Sequence, residues 1–314
     1  MSVSERIEEP IRVGILSEVT PANPPTPTGR RSRRRKLRLW IRDVGLWLSV
    51  AWLTVEAVAA LCAGVLPLRE GRNPSLTLDA PILQPPSVLS AHPLGTDRQG
   101  LDILSGIVFG ARTSLVVGFG AVLIGVAIGG VLGLIAGYRR GKVDAALNFL
   151  NDALLAFPPL ILLLALSSVV RPDLKNVTLV LGVLAIPVFF RLTRANAMTY
   201  SQRNFVLAAR ALGARNSRIL VRELAPNVAA SALSYAFVVV AVLIVAEASL
   251  SFLGLSIQRP EPTWGNMIAS GQNDLEKHPH LVFAPGIVLF LTVLSLNRIG
   301  DWAQRRWDPR SRKL

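Results

Sequence analysis

Few residues in this sequence are placed to do chemistry. Glu247 stands near the end of a long apolar run, with Ser249 and Ser251 just after it. An ionisable group inside such a run is a candidate for contact with a translocated solute, and its alternative role is a buried hydrogen-bonding anchor. Glu56 lies in an earlier apolar run that looks peripheral, which makes it the lesser candidate. His278 and His280 flank Pro279 among polar residues and, with His92, are the only histidines. That set suits a loop better than zinc, which takes three or four ligands. The single cysteine, Cys62, excludes an intramolecular disulfide and any multi-cysteine metal site. The run from Gly137 to Val143 has the wrong spacing for a phosphate-binding loop and no Ser or Thr after Lys142. With no HExxH and no GxSxG, the chain has no visible means of hydrolysing ATP or a peptide bond. No catalytic residue, metal or cofactor is expected in it.

The elements that hold these residues follow from composition. Of 314 residues, 51% are hydrophobic and only 17% charged, against about a quarter in average soluble domains. Six stretches are near the roughly 20 apolar residues a helix needs to cross a bilayer. They run from about Trp40 to Leu66, Leu115 to Gly137, Asn151 to Val170, Val177 to Phe190 with an extension to Arg194, Val228 to Leu253, and Leu281 to Ile299. All must be helices, because an open sheet would leave backbone groups unsatisfied in lipid. The expected fold class is an all-α membrane protein with six transmembrane helices.

The net charge of +14 admits a nucleic-acid binder until the charges are located. With the N-terminus placed in the cytoplasm, 26 of the 34 Lys and Arg fall on the cytoplasmic side and 8 outside, where eight acids balance them. This is the positive-inside asymmetry of a multi-pass membrane protein with both termini cytoplasmic, and nucleic-acid binding is not needed. Residues 1–36, rich in proline and then in arginine, read as a disordered basic tail ahead of an uncleaved span.

Two patterns remain. Gly125, Gly129, Gly133 and Gly137 recur every fourth residue along the second span, a smooth face that lets another helix approach closely. Pro158, Pro159, Pro187 and Pro285 interrupt the third, fourth and sixth spans and should bend them. The cytoplasmic segment 191–226 is too long for a turn. If helical, it sets Phe205, Leu212 and Ile219 on one strip beside Ala208 and Ala209, with Arg210, Arg215, Arg218 and Arg222 on the other side. Headgroup binding is one use of such a helix. The flat surface of Ala208, Ala209, Gly213 and Ala214 buries little in lipid, so docking to a cytoplasmic protein fits better.

Segment 205–226 resembles the EAA loop of binding-protein-dependent ABC import permeases: Ala208, Ala209, Gly213 and Pro226 match in spacing, and Leu207 replaces the motif glutamate. Glu223 and Ala225 replace its Ile and Leu. The stretch His92 to Asp102, followed by Gly110 to Leu115, is similar to the segment before the second span in C-type permease subunits of dipeptide, oligopeptide or nickel importers, with Leu101 where arginine is usual. Glu247 to Gly254 and Pro262 to Met267 resemble the fifth span and outer loop of the same subunits.

The resemblance implies a MetI-like permease bundle in the prokaryotic plasma membrane. It divides the chain into the 1–36 tail, a first helix and external segment over 37–114, a five-helix core over 115–305 and a basic tail over 306–314. It also implies partners: a second homologous permease subunit, two cytoplasmic ATPase subunits that hold the ATP and Mg, and an extracytoplasmic binding protein delivering dipeptides or oligopeptides. Phe205, Ala208, Ala209, Arg210, Leu212, Gly213, Ala214 and Pro226 would form the coupling helix and its flank, and the glycine face would pack near the interface between the two permeases. The competing readings are import of nickel or another small solute, an intramembrane hydrolase and a standalone channel.

Overall fold

The computed structural model describes residues 29–307, with side chains from residue 44 onward. Its elements are helices: α1 Gly29–Cys62, α2 Ile103–Arg139, α3 Gly141–Leu155, α4 Pro159–Val169, α5 Leu174–Tyr200, α6 Asn204–Ala211, α7 Asn216–Phe252, α8 Trp264–Gly271 and α9 His280–Trp307. Among the described residues five helices are long and apolar enough to cross a membrane: α2, α5, α7, and the parts Val44–Cys62 of α1 and His280–Arg306 of α9. A sixth span arises if α3 and α4 are taken as one.

That pair begins at Gly141, ahead of the third span expected over Asn151 to Val170, and it bends at the prolines as expected. The chain bends by 82° between α3 and α4. Pro159 drives Pro158 out of the helical region, to ψ 131°, as proline does to the residue before it. Other boundaries also shift. α2 begins at Ile103, well before Leu115, because Asp102 caps it by accepting the Ser105 N–H at 2.8 Å. The helix therefore starts within the stretch 37–114 expected to lie outside the core. α7 begins at Asn216 and not near Val228, and α9 runs on to Trp307. At the first boundary, the backbone of Arg30 to Lys36 belongs to α1, where a disordered tail is expected to reach residue 36. Residues 1–28 and 308–314 of the two expected tails lie outside the described residues.

The core is assembled around α2, α5 and α7, with α9 packed on α7. Gly125 faces Ala185 and Phe189, and Gly129 faces the carbonyl of Ile186. Gly133 lies against Thr193 and the carbonyl of Phe190, and Gly137 against Ala197 and the carbonyl of Arg194. The glycine face, expected to let another helix approach closely, is thus filled by α5 of the same chain along its whole length. Helices associate in lipid by packing, so backbone-to-backbone approach is where such a seam gains its energy. α2 widens into one π-helical turn at Val126–Gly130 within this seam. In α5, Pro187 removes the N–H that would bond the Val183 carbonyl, yet the helix continues through it.

α1 is less peripheral than its sequence suggests. Glu56 is buried and its two carboxylate oxygens lie 2.8 and 3.0 Å from the Thr292 hydroxyl of α9, while the Trp52 indole donates to the same hydroxyl at 3.2 Å.

The seam makes a contrast testable within one turn. A Cβ on Gly129 would collide with backbone, whereas a Cβ on Gly130 meets nothing closer than 3.8 Å. Gly129→Ala should destabilise the detergent-purified protein by about 1–3 kcal/mol, the range of overpacking. Gly130→Ala should leave thermal unfolding unchanged or slightly raised. Equal melting of the two variants would remove the seam from the account of stability.

Candidate functional site

At one end of the bundle the chain leaves α5, makes the short helix α6 and enters α7. α6 ends where Gly213 adopts φ +77°. The Gly213 N–H bonds the Arg210 carbonyl at 2.9 Å and the Ala214 N–H bonds the Ala209 carbonyl at 3.0 Å. These two bonds are the Schellman closure, which needs a left-handed residue and therefore favours glycine. It also explains the spacing of the motif: Ala209 and Ala214 are the residues whose backbones close on each other, and both pack against a small buried cluster of Val206, Ile219 and Leu224. Those three side chains are fully buried.

Gly213 breaks the single helix assumed from the sequence, so no common strip of Phe205, Leu212 and Ile219 exists. Ile219 points into the cluster, while Phe205 and Leu212 are exposed. Val206 makes the buried contact instead, a role its position beside the motif alanines does not advertise. Arg210 does not stand with the other arginines: its guanidinium lies 5.6 Å over the Tyr138 ring. Tyr138 donates its hydroxyl proton to Asn216 Oδ1 at 2.8 Å, tying the end of α2 to the start of α7. Pro226 sits in the first turn of the regular part of α7. It follows a π-helical stretch, Ile219–Leu224, in which the Ala225 N–H reaches back to the Leu220 carbonyl. A widened turn gives the proline ring room that a standard turn denies it.

Around this loop α3 is clamped to α5. Arg194 grips Asp144 through two bonds of 2.5 and 2.7 Å, and Arg191 pairs with Asp152 at 2.9 Å. The first is a bidentate fork, the geometry that makes Arg–carboxylate pairs directional.

At the opposite end, the two stretches singled out before the second span and after the fifth meet in one cap. Asp97 accepts the Gln99 and Leu101 N–H groups at 2.8 and 3.0 Å, and its other oxygen takes a bond from Arg259 at 2.7 Å. Burial pulls the Arg259 pKa down, and the charge of Asp97 opposes that pull. Arg98 grips Asp274 with two bonds, and those bonds hold the Asp274 carboxyl below its ordinary value. His92 Nδ1 lies 3.0 Å from Asp102, so this histidine braces the α2 cap. Trp264 is fully buried, and its indole donates to the Ile107 carbonyl at 3.2 Å. Thr263 and Asn266 form a reciprocal capping box at the start of α8. Between these segments lies a cavity of about 440 Å³ lined by Asp97, Arg98, Arg259, Asn266 and Met267 among others.

Glu247 belongs to this cap. It is buried, and its Oε1 accepts from Ser251 at 2.8 Å and from Ser256 at 2.7 Å. Ser251 is also 3.4 Å from Thr263. Ser249 does not join them, since its hydroxyl donates to the Val245 carbonyl at 2.9 Å. The carboxylate therefore ties the loop after α7 to the end of α7 itself. His278 and His280 stack edge to face at 5.9 Å, and no group of three or more His, Cys, Asp or Glu placed to hold a metal occurs among the described residues.

Residues 129–313 match the family described as binding-protein-dependent transport system inner membrane component. A glutathione transport system permease protein of Pectobacterium atrosepticum is 38% identical over 221 residues, covering 70% of this chain and 73% of that protein. A dipeptide transport system permease protein of Alkalihalophilus pseudofirmus is 35% identical over 263 residues, covering 84% and 86%. Among solved structures, a chain of an inward-facing methionine ABC transporter aligns with a TM-score of 0.55 at 19% identity. That alignment covers 64% of this chain and 96% of the other, and it speaks to the fold.

Two substitutions probe the two ends. Gly213 has open space around it, so only its backbone conformation resists a side chain. Gly213→Val should cost about 1–2 kcal/mol of loop stability and Gly213→Asn less, because asparagine tolerates the left-handed region. Amide exchange of residues 204–216 should rise most for valine and less for asparagine, and equal protection would show that the closure does not hold the loop. Glu247→Ala strands two buried hydroxyls and should lower stability by about 1–3 kcal/mol. Glu247→Gln keeps an acceptor and should lose less, and the reverse order in thermal melts would contradict an anchoring role.

Proposed function

This chain belongs to the family of binding-protein-dependent transport system inner membrane components, and we propose that its transported solute is a dipeptide or short oligopeptide. The chain is a multi-pass permease subunit of an ABC importer and not itself an enzyme. Peptide as the solute is supported by the relatives named for dipeptide and glutathione transport, and by the outer cap that unites both C-type motifs.

In this reading the α6 end faces the cytoplasm, as do both termini, in keeping with the basic excess on that side. Two ATPase subunits, which bind the ATP and Mg, dock on this chain and on a second homologous permease, one on each. An extracytoplasmic binding protein delivers the peptide at the capped end. The observation that carries the proposal is the construction of the docking loop. α6 presents Phe205, Ala208 and Leu212 outward while Val206 welds its other face to Ile219 and Leu224 at the start of α7. A force on α6 is passed to α7 through packed side chains and a closed backbone turn. α7 runs 37 residues, about 55 Å at the helical rise, to the Glu247 network at the other end. Closure of the ATPases thus tilts a rod whose far end is fastened to the cap, and the path between the two permeases opens to one side or the other.

The test is transport by the full complex reconstituted in proteoliposomes with ATP inside and loaded binding protein outside. ATP-dependent accumulation of a labelled dipeptide is expected, with no ATP hydrolysis by the permease alone. Accumulation of nickel without peptide would replace the solute, and solute flux without any ATPase subunit would replace the class.

A further inference from the structure

The outward arc of α6 has an unusual property. Asn204, Phe205, Leu207, Ala208, Ala211 and Leu212 are all exposed, and none carries a charge. At 100° per residue these six occupy one side of the helix, with Val206 and Ala209 opposite and Arg210 turned to Tyr138. Leu212 is 88% exposed and Leu207 51%, an apolar surface that a monomer does not leave to water without a use. The charge stands around this face: Arg203, Arg215, Arg218 and Arg222 form no ion pair among the described residues, and Glu223 is the sole acid between 191 and 226.

Resting on the docking role proposed above, we infer that the ATPase of this transporter receives residue 207 in an uncharged apolar floor, ringed by acidic side chains that meet the four arginines. Leu207 is then a specificity-determining residue. At the position where the motif carries glutamate, it offers a cation nothing, and a floor containing an unpaired arginine or lysine would be left with a desolvated charge. An apolar floor rejects a glutamate-bearing permease for the same reason, so Leu207 sorts partners by repulsion as well as by fit. The occupant is a protein and not the headgroup layer, because the middle of the face is Ala208 and Ala211, which bury little area in lipid but allow close approach of another backbone.

The experiment uses the intact complex, purified through a tag on the permease, with the ATPase retained per permease as the readout. Leu207 is exposed, so its variants should insert and elute as the parent does. Leu207→Glu should reduce retained ATPase about tenfold or more, Leu207→Ala several-fold, and Leu207→Met little. Reversal of an acidic rim residue on the ATPase should weaken retention further as each arginine loses its partner. Retention of Leu207→Glu at or above the parent level would overturn the apolar floor. Failure of the docking role itself reads differently. In a Cys62→Ala background, Ala208→Cys should form a cross-link to a cysteine placed in the ATPase groove. A cross-link with indifferent Leu207→Glu sinks only this inference. No cross-link, with quenching by spin-labelled lipid of a probe attached to the Ala208→Cys variant, sinks both.

Discussion

The seam between α2 and α5 is the constraint on which the remainder of this bundle depends. Lipid offers no gain for hiding apolar surface, so helices are held by how closely they can pack. Four glycines at every fourth position let the backbone of α2 lie against the carbonyls of Ile186, Phe190 and Arg194. With α2 and α5 joined, α7 has a fixed surface to pack on, and α9 packs on α7 in turn. The bent pair α3 and α4 is then hung from α5 by the Arg194–Asp144 and Arg191–Asp152 pairs. The same seam keeps the end of α2 in place, where Tyr138 meets both Asn216 and Arg210.

Against this fixed frame the two functional ends are built on opposite principles. The α6 loop is small, closed by backbone hydrogen bonds and a three-residue apolar cluster, and shows its remaining apolar side chains to the surroundings. The cap at the other end is polar and bonded within itself, with Asp97, Asp102, Glu247 and Thr263 each holding a neighbour. One end leaves an apolar face open, and the other closes its polar groups on one another. Glu247 serves the second end, because a buried carboxylate that holds both Ser251 and Ser256 fastens the last turn of α7 to the loop that follows.

Much of the candidate loop is legible without coordinates. Ala209, Gly213 and Ala214 are spaced as a Schellman closure demands, and that closure is a local matter of backbone geometry. A helical wheel drawn through 205–222 fails for the same local reason, since a glycine at φ +77° ends the helix after two turns. Pro158 and Pro159 mark the bend in the third span, but a hydropathy count is blind to direction and does not give its 82°. Glu56 is undervalued in the sequence because its partner, Thr292, is 236 residues away.

The sequence by itself determined the medium, the approximate spans, the charge asymmetry and the local turn chemistry. Each of these depends on residues close together in the chain or on sums over it. Only the tertiary structure decided which helix fills the glycine face. A small-residue stripe specifies that something comes close, and its complement is a stripe of carbonyls that every helix possesses. Tertiary structure alone also decided that Val206 rather than Phe205 is buried, that Arg259 answers Asp97, and that the two C-type motifs build one cap. Those outcomes turn on distances between residues far apart in the chain, and such distances exist only once the helices have packed.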